Sequence, residues 1–203
     1  SIGALLDVYP EAAEIKNEHG DLPLHILLQN GGKGDVNPLV ANIMLEAYPA
    51  ALSMKDSLGR YPIHSALIKL RMHSFVQLAL KQDLDGENPA AVESPEGDLP
   101  LQLAVENLSS AEVVQALVDA YPPAINRTRT DNTSNLMTVY INADRRHVDR
   151  TIEQIDTMCD ILNIFFDKMP DILKDPELSD PSKGKKKHLC IHHALINRSV
   201  DKV

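Results

Sequence analysis

The six-residue string GDLPLH at 20–25 returns as GRYPIH at 59–64 and as GDLPLQ at 97–102, at intervals of 39 and then 38 residues. A second phrase alternates with it: VYPEAA at 8–13, AYPAAL at 47–52 and AYPPAI at 120–125. Two phrases locked in alternating order restrict the chain to a repeat architecture, one structural unit written several times over. A unit this short cannot bury its own apolar face, so neighbouring units have to shelter one another.

The grammar inside each unit is that of two short helices. Each phrase of the first kind carries a proline (Pro23, Pro62, Pro100) ahead of an apolar run, the place where its missing N–H costs no helical hydrogen bond. The spacing predicts first helices over 23–29, 62–70 and 100–106. The glycine-rich NGGKGD at 30–35 interrupts the first of them. Asn37 with Pro38 behind it reads as a new helix start, and Leu39, Ile43, Leu45 and Ala47 recur at helical spacing until Pro49 halts the run. Second helices are likewise expected over 74–82 and 109–121, the last opened by Ser109 and Glu112 at capping-box spacing. Beyond 131 the pattern decays, with only Leu136 of NTSNLM at 132–137 matching. A strong helix then follows from about Thr151 to Lys168, with an apolar stripe of Ile155, Met158, Cys159, Ile161, Leu162, Phe165 and Phe166. After the polar loop 175–187, HLCIHHAL overlays on DLPLHILL and places His192 on the motif histidine.

The phrase G-x-L-P-L-H-x-A followed by two short helices resembles the ankyrin repeat, whose signature is T-P-L-H-x-A. The resemblance implies an all-α solenoid in one domain: a partial unit over 1–19, units over 20–58, 59–96 and 97–131, a degenerate unit over 132–186 and a partial one over 187–203. It therefore implies a fragment of a longer solenoid. It further implies that the proline starts each first helix, that Leu24, Ile63 and Leu101 pack inward, and that His25, His64 and Gln102 bond between neighbouring units. Two departures stand out. The family's helix-capping threonine is replaced by Leu22, Tyr61 and Leu99, a loss of about 1 kcal/mol per helix unless another group substitutes. The family's Gly-Ala-Asp turn is replaced by Tyr-Pro-x-Ala.

Composition narrows the function. The chain carries a net charge of −9 and only three Phe, five Tyr and no Trp. It gains little from phosphate counterions and lacks stacking platforms, which argues against nucleic acid and anionic membranes as partners. No apolar run approaches the ~20 residues that span a bilayer. Two cysteines, Cys159 and Cys190, form no framework and fit a reducing compartment, so an intracellular, cytoplasmic location is expected.

No nucleophile motif or phosphate loop is present, so no enzyme activity and no cofactor are expected. Glu93, Glu96 and Asp98 lack the spacing of a calcium loop. His25 and His64 are explained by the repeat. His188, Cys190, His192 and His193 form the densest group of soft ligands, with His188 and His192 four apart as on one helix face; two ligands leave a zinc half coordinated. The neighbouring KGKKK at 183–187 is expected to be a solvated loop. The resemblance implies instead a protein partner gripped by hairpin tips and the concave face of the first helices. Position by position this picks out Glu18, His19, Asp21 and Gln29, then Ser57, Leu58, Arg60 and Lys69, then Glu96, Asp98 and Glu106, acidic in the outer units and basic in the middle one. The competing readings are a structural spacer or subunit segment within a large assembly, and a metal or enzymatic site in 132–203.

Overall fold

A computed structural model describes residues 2–30, 38–70, 73–82, 86–127 and 152–168. The described residues are helical and contain no strand element. Among the described residues eight α-helices follow in order: α1 Ile2–Val8, α2 Pro23–Asn30, α3 Pro38–Ala47, α4 Pro62–Ser65, α5 His73–Ala79, α6 Pro100–Glu106, α7 Ala111–Ala120 and α8 Ile152–Lys168. α4 runs directly into a π-helical segment, Ala66–Leu70. The 3-10 turns Pro10–Glu14, Pro49–Ser53 and Pro122–Asn126 follow α1, α3 and α7.

These helices lie in two rows. α2 packs on α4 and α4 on α6; alongside, α1 packs on α3, α3 on α5, α5 on α7 and α7 on α8. Pro23, Pro62 and Pro100 each open one helix of the first row. The residue after each proline, Leu24, Ile63 and Leu101, is buried and belongs to one continuous core.

Local sequence accounts for where each second helix stops. In α7 the apolar Val113, Val114, Leu117 and Val118 share one face and are fully buried, a burial worth about 1.5–3 kcal/mol for each large side chain. Proline at 122 then clashes with a helical residue before it, and Tyr121 takes φ −144°, ψ 79°. Tyr9 and Tyr48 stand in nearly the same conformation before Pro10 and Pro49. In each case the amide three residues on donates to the tyrosine carbonyl: Ala12 to Tyr9, Ala51 to Tyr48 and Ala124 to Tyr121, all at 3.1 Å. The fourth residue after the tyrosine, Ala13, Leu52 or Ile125, turns into the core.

A fourth copy of that turn escaped the sequence reading. Asn88 precedes Pro89, the Ala91 amide donates to the Asn88 carbonyl at 2.8 Å, and Val92 is buried in the place of Leu52. The tyrosine has become asparagine, whose side chain accepts from the Ala90 amide and donates to the Ala120 carbonyl at 2.7 Å. An aromatic landmark hid the copy that lacks it.

The missing threonine caps are compensated from inside the helix. The amides of Leu22 and Tyr61 each donate to Nδ1 of the residue three on, His25 and His64, at 3.2 Å. Leu99 does the same to Gln102 Oε1 at 2.8 Å. This is the half of a capping box in which the third helical residue reaches back to the cap amide. An apolar cap side chain is thereby free to be buried, as Leu22 and Leu99 are.

Three expectations are corrected. Leu39, counted in the apolar stripe of α3, is 59% exposed, and Ala41 and Leu45 carry that helix's burial. The Ser109–Glu112 capping box does not form, because α7 starts one residue later with Ser110 at the cap and no side-chain cap bond. The second helix expected over 74–82 ends at Ala79. In α8 the expected stripe is buried at Met158, Ile161, Leu162, Phe165 and Phe166, while Cys159 is half-buried.

Candidate functional site: the hairpin ridge

Three hairpin turns precede the first-row helices, and each is built from one polar side chain and one glycine. Asn17, Asp56 and Ser94 stand three residues ahead of Gly20, Gly59 and Gly97. Those glycines have φ of +86°, +78° and +82°, the left-handed region that costs a side chain dearly. The Asn17 side-chain oxygen accepts from the amides of His19 and Asp21, Asp56 Oδ1 from those of Leu58 and Arg60, and Ser94 Oγ from that of Asp98, all within 2.8–3.2 Å. Backbone bonds Asn17 to Asp21, Asp56 to Arg60 and Ser94 to Asp98 close the loops at 2.8–2.9 Å. A side chain that occupies its own backbone amides fixes the turn, so the two residues between are held out at the tip: Glu18 and His19, Ser57 and Leu58, Pro95 and Glu96.

Consecutive hairpins are bonded to one another. The Asp21 carboxylate accepts from the Ser57 amide at 2.6 Å and from the Ser57 hydroxyl at 2.9 Å. His25, accepting at Nδ1, carries its proton on Nε2 and directs it to the Met54 carbonyl at 3.1 Å. His64 repeats the arrangement with the Val92 carbonyl, also at 3.1 Å. Asp56 gathers the densest network: Arg60 donates from Nε and Nη2 at 3.2 and 3.0 Å, and Gln29, from the preceding unit, at 3.2 Å.

Burial sets the charge states along these ties. Loss of solvent pushes His64 from 6.5 down to about 4, against the pull of its bond to the Val92 carbonyl. It lowers His25 in the same way. Both rings are neutral at pH 7. Burial raises Asp56, yet the bonds from Arg60 and Gln29 outweigh it and hold the carboxyl below its ordinary value.

The ridge divides the eleven candidate residues. Glu18 and His19 are exposed and lie 3.7 Å apart at the first tip. Leu58 is 60% exposed at the second. Ser57 and Glu96 are exposed, Gln29 and Glu106 half-buried. Asp21, Arg60 and Asp98 were expected on the open surface and are buried, at 4%, 9% and 5% exposure. For Asp21 the physical reason is the tie itself, since a carboxylate bonding an amide in the next hairpin must sit between the two, and for Arg60 it is the pairing with the buried Asp56 carboxylate. Of the two basic residues expected in the middle unit, Arg60 is paired with Asp56 at 3.0 Å. Lys69 lies on the π-helical segment. Asp56, the hub of the network, was not among the candidates. Its signal was legible as a polar side chain able to accept from backbone amides three residues before each recurring glycine: Asn17, Asp56 and Ser94.

Beside the ridge lies a groove of ≈ 460 Å³ lined by Lys55, Tyr61, Glu87, Asn88, Ala91, Val92 and Glu93. Lys55 Nζ sits 5.1 Å from the centre of the Tyr61 ring, and Glu93 pairs with Arg127. Its walls combine opposite charges with no nucleophile beside a base. Among the described residues no group of three or more His, Cys, Asp or Glu could hold a metal ion, and no helix is long and apolar enough to cross a membrane. The His188, Cys190, His192, His193 group and the KGKKK loop lie outside the described residues.

No protein-family model matches this chain, and no curated protein or solved structure matches it.

Proposed function

We propose that the chain is an ankyrin-like solenoid serving as a protein-interaction module, with the hairpin ridge as its gripping surface. The observation that carries this reading is Leu58. A large apolar side chain is 60% exposed on a tip whose backbone is fixed by Asp56 and tied to the preceding hairpin through Ser57. Holding an apolar group rigidly in water gains the fold nothing, whereas a partner that covers it gains its burial with little ordering cost. Glu18 and His19 on one side and Glu96 on the other supply a polar rim, the usual surround of an apolar contact centre. The buried Asp21 and the Asp56–Arg60 pair hold the tips in place and leave specificity to the exposed residues.

The test is affinity capture from native extract with the wild-type chain, Leu58→Asp and a Glu18→Lys, Glu96→Lys variant, each checked for unchanged helicity by circular dichroism. A partner retained by the wild type and lost by both variants is the expected result. An identical captured set from all three would remove the ridge as the site.

A further inference from the structure

The exposed large apolar residues are not scattered. Four of them, Leu5, Val8, Tyr9 and Ile15, at 55%, 66%, 61% and 67% exposure, belong to α1 and the segment leading to the first hairpin. One unit further on, 39 residues later, the same places are held by Met44, Ala47, Tyr48 and Met54. All four of those are half-buried, and Met44, Tyr48 and Met54 pack against the core. The difference is what lies in front of them: α1 and its 3-10 turn pack on α3, and α2 sends His25 Nε2 to the Met54 carbonyl, Asp21 to Ser57 and Gln29 to Asp56. Translated back by one unit, the matching groups are the Ile15 carbonyl, an acceptor, and the Glu18 amide, a donor; Asn17, whose Oδ1 is taken by the His19 and Asp21 amides, offers a donating Nδ2 where Asp56 offers an acceptor.

We propose that this edge, from Leu5 to Glu18, is a stacking surface for one more helix–hairpin unit of the chain's own pattern. The inference rests on the stacked-unit reading of the fold and is independent of where a protein partner binds. Its occupant is defined by chemistry. A helix opening Pro-apolar-His donates from Nε2 to the Ile15 carbonyl, and an aspartate two residues ahead of that proline accepts from the Glu18 amide. Its apolar face lies against α1 as α2 packs on α3.

The experiment joins a second copy of residues 15–39 directly ahead of Ser1, which restores the 39-residue phase, and compares the extended chain with the original. The extended chain is expected to melt several degrees higher and to protect the Glu18 amide from hydrogen exchange to the level of Ser57. Changing Leu5 and Ile15 to Ser should leave the original chain's midpoint unmoved, because both face solvent there, and cancel the gain in the extended one. An extended chain with no higher midpoint and no protection at Glu18 overturns the proposal, as does sedimentation showing that the original chain dimerises through Leu5 and Ile15. Failure of the stacked-unit reading shows separately, as an unaltered stability in Asp21→Ala of the original chain; failure of the partner-binding reading shows only in the capture experiment.

Discussion

Asp21 and Ser57, 36 residues apart, are joined by two hydrogen bonds, from the Ser57 amide at 2.6 Å and from its hydroxyl at 2.9 Å, to the two oxygens of one buried carboxylate. Side chains that the family pattern placed on the surface thus fasten one hairpin to the next.

Removing the carboxylate leaves the Ser57 amide without its charged acceptor. Asp21→Ala is expected to cost about 2–3 kcal/mol and Ser57→Ala, which keeps the amide bond, about 1 kcal/mol. Urea unfolding of both singles and the double reads the coupling through the hydroxyl, and a coupling under about 0.5 kcal/mol would mean that the hydroxyl bond contributes nothing of its own.

The imidazole ties predict acid sensitivity. His64 sits at about 4 in the folded chain against about 6.5 unfolded, so between those values the unfolded state binds more protons. Stability is therefore complete above about pH 6.5 and is lost as pH falls toward 4, by roughly 3 kcal/mol for this ring. His25, also lowered, adds in the same direction. Gln102 already performs the cap bond with an amide. His64→Gln should accordingly hold its stability at pH 7 to within about 1 kcal/mol and flatten the profile between pH 6.5 and 4, while His64→Leu should be destabilised at every pH. Thermal melts at half-unit pH intervals decide between them.

Arg60 matters through Asp56. With its carboxylate side chain 1% exposed, Asp56 depends on the guanidinium, and Arg60→Met should cost about 3 kcal/mol by leaving a buried charge poorly paired. Because the carboxyl is held below its ordinary value, its contribution is present above about pH 4 and lost on acidification. In Arg60→Met that loss should begin at higher pH, and adding Asp56→Asn should recover part of the stability. Chemical denaturation at pH 7 and pH 5 distinguishes these outcomes.

Two glycines with the same backbone offer a paired control. A Cβ at Gly20 meets nothing within 4 Å, whereas at Gly59 it would lie 3.1 Å from Pro95 Cγ of the next hairpin. Gly20→Ala is expected to cost roughly 1–2 kcal/mol for the left-handed backbone alone, and Gly59→Ala more. Equal costs by calorimetry would contradict the close approach of the second and third hairpins.

Much of the fold was legible because its signals are local. A proline fixes a helix start and a following proline fixes a helix stop, whatever surrounds them, which is why Pro23, Pro62 and Pro100 open helices and Tyr48 and Tyr121 end them. Where a reading leaned on one residue type it failed: Asn88 forms the tyrosine turn without a tyrosine, and Ser109 has capping-box spacing without the box. The candidate site was legible only as a set of tips, Glu18, His19, Ser57, Leu58 and Glu96.

The order of elements, their all-helical class and the 39-residue phase were determined by the sequence alone, since backbone sterics and apolar spacing act over a few residues. Tertiary structure decided which polar groups face solvent. Asp21, Arg60 and Asp98 look no different in sequence from Glu18 and Glu96. Asp21 is buried because a neighbouring hairpin, and Arg60 because a carboxylate within its own, competes with water for its hydrogen bonds, and the first of these competitions exists only after the units have come together.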